Sequence, residues 1–244
     1  MPLGRLFRRE SGAQRLLSLD VLRGVAIVLM VIFHFGYDLS AFGYAHYDTA
    51  IDTEWRVFRA VIVSGFLLAV GMSSYLAYAR QINWHKLMLN ITKLALVAVF
   101  ISLSSYLMYP RNWVYFGIIH FIALAVPLSL IFVRKPTLAL WLGLGLIVGY
   151  FTELLSMQGL WLWSVEHWHI PRHSVDLVSL VPWFGVVLLG VFIMHHQYLP
   201  QIKSNRLSRA LAFLGRHSLV IYLLHQPILY SGFYLFSLLF AKDC

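Results

Sequence analysis

The sequence predicts an all-α fold, a polytopic integral membrane bundle of about seven transmembrane helices, and three observations lead there. Sixty per cent of the residues are hydrophobic and 12% are charged, a balance far more apolar than soluble domains of 244 residues usually show. The apolar residues gather into runs of about 20, the length that crosses a hydrocarbon core of about 30 Å. The segments between the runs are short and no internal repeat is evident, so a single domain over residues 1–244 is expected, with neighbouring helices antiparallel.

The expected spans are roughly 20–42, 57–79, 87–109, 113–133, 137–155, 177–197 and 217–240. Fourteen of the 19 Lys and Arg then lie on the side of the N-terminus, the other five being Arg56, Arg59, Arg111, Arg172 and Lys242. That bias places the N-terminus in the cytoplasm and the C-terminus outside. It also accounts for the net charge of +9 without nucleic acid, because the basic residues are spread over loops. The single cysteine, Cys244, excludes an intrachain disulfide and a thiolate metal cluster.

A basic lead-in with Arg5, Arg8, Arg9 and Arg15 precedes the first span. The apolar run is longer than a signal-peptide core and is interrupted by Arg23 and His34, so a retained helix is expected. On a helix at 3.6 residues per turn, Arg23 and His34 are almost three turns apart, about 16 Å of rise, and share a face. Asp20 and Asp38 fall within about 40° of the same line. An ionisable group in hydrocarbon costs several kcal/mol unless it faces a bundle interior or a wet cavity, so the stripe Asp20, Arg23, His34, Asp38 marks a functional face. Interfacial snorkelling explains its ends but not His34.

The outer loop that follows, YAHYDTAIDTEWR, brings His46, Asp48, Asp52 and Glu54 to the mouth of that helix. A histidine beside carboxylates suits general acid–base work, although an ordinary polar loop has the same composition. The spacing matches no zinc site, and no metal is expected. Gly65, Gly71, Ser73 and Ser74 of the second span allow close helix contact. Arg80, Lys86 and Lys93 beyond it suit a nucleotide phosphate, but the positive-inside rule demands them in any case. The sequon Asn90-Ile91-Thr92 falls on the inner side.

His120 in the fourth span lies at a depth similar to that of His34, about 10 Å below the outer surface. The two imidazoles are candidates to face each other, while an interhelical hydrogen bond would explain His120 as well. Pro127 is expected to kink the inner half of this span. Between the fifth and sixth spans, Trp161, Trp163 and Trp168 accompany Glu166, His167, His169 and Arg172, which suits an interfacial aromatic belt or a platform for a sugar. The last span carries His225, Gln226 and Pro227 where lipid contact would forbid polar groups.

The block RLLSLDVLRGVAIVLMVIFHFGYDLSAFG resembles the opening helix of the bacterial relatives of heparan-alpha-glucosaminide N-acetyltransferase, within the superfamily of transmembrane acyltransferases. VYFGIIHFIAL, VPWFGVVLLG and RHSLVIYLLHQPIL resemble later blocks, so the similarity runs through nearly the whole chain. The wider branch is marked by Arg or Lys, ten residues, then His, a spacing that Arg23 and His34 fit. In the lysosomal branch Asn matches His34, and the essential histidine lies in the lumenal loop, within one position of His46. This chain has both histidines but is shorter and has fewer spans.

The resemblance implies an acyltransferase of the bacterial inner membrane that moves an acetyl group from cytoplasmic acetyl-CoA, a co-substrate, to an amine or hydroxyl of a sugar or glycan outside. His34, His46 and Asp38 are then the catalytic candidates, with Asp38 fixing the tautomer of His34. Asp20, Arg23 and Arg80 are the candidates for binding the donor, and His120, His225 and Gln226 for supporting the site. The bilayer is a partner, a homo-oligomer is compatible with such a bundle, and nucleic acid is not expected. Two other classes fit the same polar helices: a bis-His haem electron carrier and a small-solute transporter.

Overall fold

The computed structural model describes residues 17–108, 110–168, 170–172, 174 and 176–240. The basic lead-in, His169, Lys242 and Cys244 lie outside the described residues. The described residues form nine α-helices and no strand. They divide into two units, one from residues 1–56 with 200–244 and the other from 57–199. The first unit holds α1 (Leu17–Ala41), α8 (Arg206–Arg216), α9 (Ser218–Phe240) and the first turn of α2 (Thr53–Tyr78). The second holds the remainder of α2 with α3 (Trp84–Met108), α4 (Ile118–Ser129), α5 (Pro136–Phe151), α6 (Gln158–Trp168) and α7 (Leu180–His195).

Each of the seven expected spans contains a helix, but they are not equivalent. By length and composition α1, α2, α3 and α9 can cross a membrane. Helices α4, α5 and α7 are apolar but have only 12, 16 and 16 residues, short of the ~20 that a straight crossing needs. Local chemistry cuts them short. Gly117 is the N-cap of α4, where the Asp176 carboxylate accepts from Ile118 N at 3.0 Å. The same helix stops at Ser129, two residues past Pro127, where the chain goes over to tighter turns, with Leu130 N donating to Pro127 O and Phe132 N to Ser129 O, so Pro127 sits in the last turn of α4 rather than kinking a longer helix. Pro136 opens α5 at its first position, and Glu153 with φ 60° turns the chain away at its end.

Two helices occupy segments expected to be loops. Helix α8 begins with a reciprocal cap: Ser208 N donates to Asn205 Oδ1 at 2.7 Å and Asn205 N donates to Ser208 Oγ at 2.8 Å. Its buried positions Ser208, Ala212 and Gly215 form one face, while Arg206, Arg209 and Arg216 are exposed. Helix α6 carries the tryptophan cluster.

In the first unit α1 packs on α8 through glycine. A Cβ on Gly24 would stand 2.0 Å from Leu211 O, and one on Gly215 would stand 1.9 Å from Asp20 O, so these helices touch backbone to backbone. Helix α9 follows α8 and runs beside α1 in the same direction, with ring contacts from Phe35 to Phe233, from Phe42 to Tyr230 and from Tyr44 to Phe236. The second unit is built similarly, with α5 against α7 at Gly143 and Gly185 and α2 against α7 at Gly71 and Gly190. A core of Tyr78, Leu87 and Val126 binds α2, α3 and α4.

The outward faces are as apolar as the core. Leu96, Phe100, Leu103 and Leu107 of α3 and Val220, Leu224, Ile228 and Leu235 of α9 are exposed. Water would penalise such stripes, whereas lipid does not. With four apolar helices long enough to cross, the chain is an integral membrane protein.

Candidate active site

Helix α1 is unbroken from Leu17 to Ala41, so the polar stripe keeps the single face that its spacing requires. At the start of that helix Arg23 Nη1 lies 3.4 Å from Asp20 Oδ1, with the carboxylate buried and the guanidinium partly so. About three turns further on, His34 and Asp38 meet two consecutive residues of α9. The His34 ring stands edge-on to the His225 ring at a centroid distance of 4.7 Å, and Asp38 Oδ1 accepts from Gln226 Nε2 at 2.9 Å. Asp38 is fully buried, and His225 is 8% exposed.

Four side-chain atoms in this quartet are buried without a hydrogen-bond partner among the described residues: His34 Nδ1, Asp38 Oδ2, His225 Nε2 and Gln226 Oε1. Leaving such a group unsatisfied costs about 1–3 kcal/mol, and native interiors rarely tolerate one, let alone four together. Their polarity is one-sided. A carboxylate oxygen and an amide oxygen only accept. The His225 ring uses Nδ1–H to donate to Tyr222 O at 2.7 Å, which leaves Nε2 as an acceptor too. A ligand rich in N–H or O–H groups is what this arrangement complements.

The outer loop is tied to the same helix. Tyr47 Oη donates to Gly36 O at 2.9 Å, Ser40 Oγ donates to Tyr47 O at 2.5 Å, and the Tyr47 ring stacks on Trp55 at 4.7 Å. Gly36 is required there, since a Cβ would come within 2.2 Å of the Trp55 ring. His46 is exposed beside Tyr47. The loop carboxylates are engaged in shaping it: Asp48 Oδ1 accepts from Ala50 N and Ile51 N, and Asp52 Oδ2 accepts from Asp48 N.

Other expected participants belong to the second unit. Both nitrogens of His120 are occupied: Nδ1 accepts from Gly117 N at 3.2 Å and Nε2 lies 3.0 Å from Ser102 Oγ, so the ring caps α4 and joins it to α3. Arg80 is exposed after α2, and its carbonyl accepts from Arg134 Nη2 at 3.3 Å. In the tryptophan segment Trp161 Nε1 donates to Tyr115 Oη at 3.1 Å, and Trp163 stacks on His167 at 4.6 Å.

Sequence reasoning picked out all four members of the quartet but not their pairing. His34 meets His225, and Asp38 holds Gln226 instead of orienting His34. Tyr47 and Trp55, which anchor the loop, were missed, and aromatic composition alone could not have singled them out. No curated protein and no solved structure matches the chain. A family model described as heparan-alpha-glucosaminide N-acetyltransferase, catalytic, matches residues 15–227, a stretch that runs through both units and includes every member of the quartet. With that match covering most of its length, the chain belongs to the heparan-alpha-glucosaminide N-acetyltransferase catalytic family, whose activity is acetyl transfer.

Proposed function

We propose that the protein is a transmembrane acyltransferase of the bacterial inner membrane, with its N-terminus in the cytoplasm, that moves an acetyl group from cytoplasmic acetyl-CoA to an amine or hydroxyl of a sugar outside. The observation that carries this reading is the buried quartet of α1 and α9, with three acceptor atoms that meet no donor among the described residues. Amines and hydroxyls are donors with a nucleophilic lone pair, so the polarity of the cluster and the chemistry of the acceptor agree.

Position supports a role for each residue. Arg23, held by Asp20 at the inner end of α1, is a cation for the CoA phosphates. Asp38 and Gln226 hold the acceptor through their unpartnered oxygens. His34 takes either the proton or the acyl group, and His46, exposed in the anchored loop, meets the sugar as it enters. The electron-carrier alternative needs a ring nitrogen of His120 for iron, and both are engaged, Nδ1 with Gly117 N and Nε2 with Ser102 Oγ.

A thermal melt tests this. Acetyl-CoA at about 100 times its Kd stabilises a folded state by about 2.7 kcal/mol, which for a chain of this length is a shift of roughly 5–10 °C. The expected result is that shift in the wild type, a smaller one in Arg23→Ala, and an undiminished one in His34→Ala. No response to acetyl-CoA, with a response to a small solute, would favour the transporter.

A further inference from the structure

We infer that His225 is the second catalytic histidine of the site, the group that takes the proton from the acceptor. The inference rests on the acyl-transfer reading above and adds a residue to it. His225 differs from His34 in one respect that decides the chemistry. Its Nδ1 lies 2.7 Å from the carbonyl oxygen of Tyr222, and a carbonyl oxygen can only accept, so Nδ1 carries the hydrogen. The neutral ring therefore presents a lone pair at Nε2, and that atom is buried with no partner among the described residues.

A fixed tautomer with its basic nitrogen aimed into the site is what a general base requires. His34 has no such tether: its Nδ1 is unpartnered, and Asp38, four residues on, is bonded to Gln226. The two rings are 4.7 Å apart, so a substrate that reaches one reaches the other. Two other histidines, His167 and His217, donate in the same way to the carbonyls of Trp163 and Phe213, but both are exposed. Only at His225, among these three, is the other nitrogen sealed beside a carboxylate-bearing cluster.

The step balances as follows. The acceptor X–H attacks the acetyl carbonyl carbon through the lone pair on X, and the X–H proton passes to His225 Nε2. The carbon–sulfur bond then breaks with its electron pair on sulfur, and the thiolate takes the proton from the imidazolium. Acetylated acceptor, CoA thiol and neutral His225 result, and no oxidant or further reactant is needed. This gives the proton to His225 and leaves His34 facing the acyl group.

The experiment uses the full chain in lipid nanodiscs, with acetyl-CoA as donor, glucosamine as the amine probe and glucose as the hydroxyl probe. His225→Asn retains an amide N–H where Nδ1 was, able to hold Tyr222 O, and removes only the base. The expected result is a loss of at least about 100-fold in kcat with the acetyl-CoA melting shift retained. In His225→Ala, added imidazole should restore turnover at least tenfold, which a merely structural histidine would not allow. His225→Asn within threefold of wild type, or His225→Ala unresponsive to imidazole, overturns the inference while the wild type's own transfer upholds the acyltransferase reading. Wild-type protein that acetylates neither probe nor any other amine or hydroxyl acceptor overturns both.

Discussion

His34→Ala is expected to lower acetyl transfer by about 10²–10⁴-fold while leaving the fold and the response to acetyl-CoA intact. The size of the effect follows from the role, because loss of a positioned base or nucleophile removes stabilisation present only in the transition state. The intact fold follows from the geometry. His34 Nδ1 has no partner among the described residues, so truncation breaks no hydrogen bond to them there and relieves a buried polar atom of its desolvation. The ring contacts with Phe33, Tyr37 and His225 are lost. Stability should stay within about 1 kcal/mol of wild type. A variant that melts far below wild type and is inactive for that reason would mean that the ring serves packing. Near wild-type turnover in both His34→Ala and His46→Ala would remove the site assignment altogether.

Gly215→Val is expected to reduce stability and transfer together. A Cβ at this position would stand 1.9 Å from Asp20 O, and ordinary contact begins near 3.4 Å, so α1 and α8 would have to separate by about 1.5 Å. Neither obstacle is a flexible side-chain tip, since the atoms met are backbone of Asp20 and Gly24. Overpacking of this kind typically costs about 1–3 kcal/mol, and a β-branched residue in a helix adds to it. The consequence for transfer comes from register. Gly215 meets the backbone of Gly24, and ten residues further along each chain stand His225 and His34. Moving α8 off α1 therefore draws the two imidazoles apart. Gly232→Ala is the control: nothing lies within 4 Å of its Cβ, and alanine in a helix interior should leave stability unchanged or raise it by about 0.5–1 kcal/mol. The measurement is a melt in detergent beside initial rates. Wild-type values for Gly215→Val would show that the close crossing does not set the site.

The same register explains what the sequence could and could not disclose. The 3.6-residue period placed Asp20, Arg23, His34 and Asp38 on one face, and α1 has that geometry because nothing in it breaks a helix. The polar residues of α9 stood out because lipid would not accept them. What no single helix reveals is which level of α9 meets which level of α1. Helix α8 decides that, by starting at the Asn205–Ser208 cap and carrying the chain to Gly215 against Gly24 before α9 begins. Matching depth alone therefore did not single out His225, which packing brings to His34. The lengths of α4 and α5 were hidden for a related reason: Gly117 and Pro136 act on the backbone at the helix starts, inside runs that read as continuously apolar. In the outer loop the carboxylates that look catalytic by composition, Asp48 and Asp52, are bonded to backbone N–H groups of the turn itself.

The central claim, that this bundle passes an acetyl group from a cytoplasmic donor to an acceptor on the far side, is tested most directly in inside-out membrane vesicles. Glucosamine is enclosed in the lumen, and acetyl-labelled acetyl-CoA is added outside, where the cytoplasmic face is exposed. The predicted result is labelled N-acetylglucosamine inside the vesicles, abolished by Asp38→Asn, which exchanges the buried carboxyl group of the quartet for an amide. Label confined to sugar on the same side as the donor, or transfer that Asp38→Asn leaves unchanged, would contradict it.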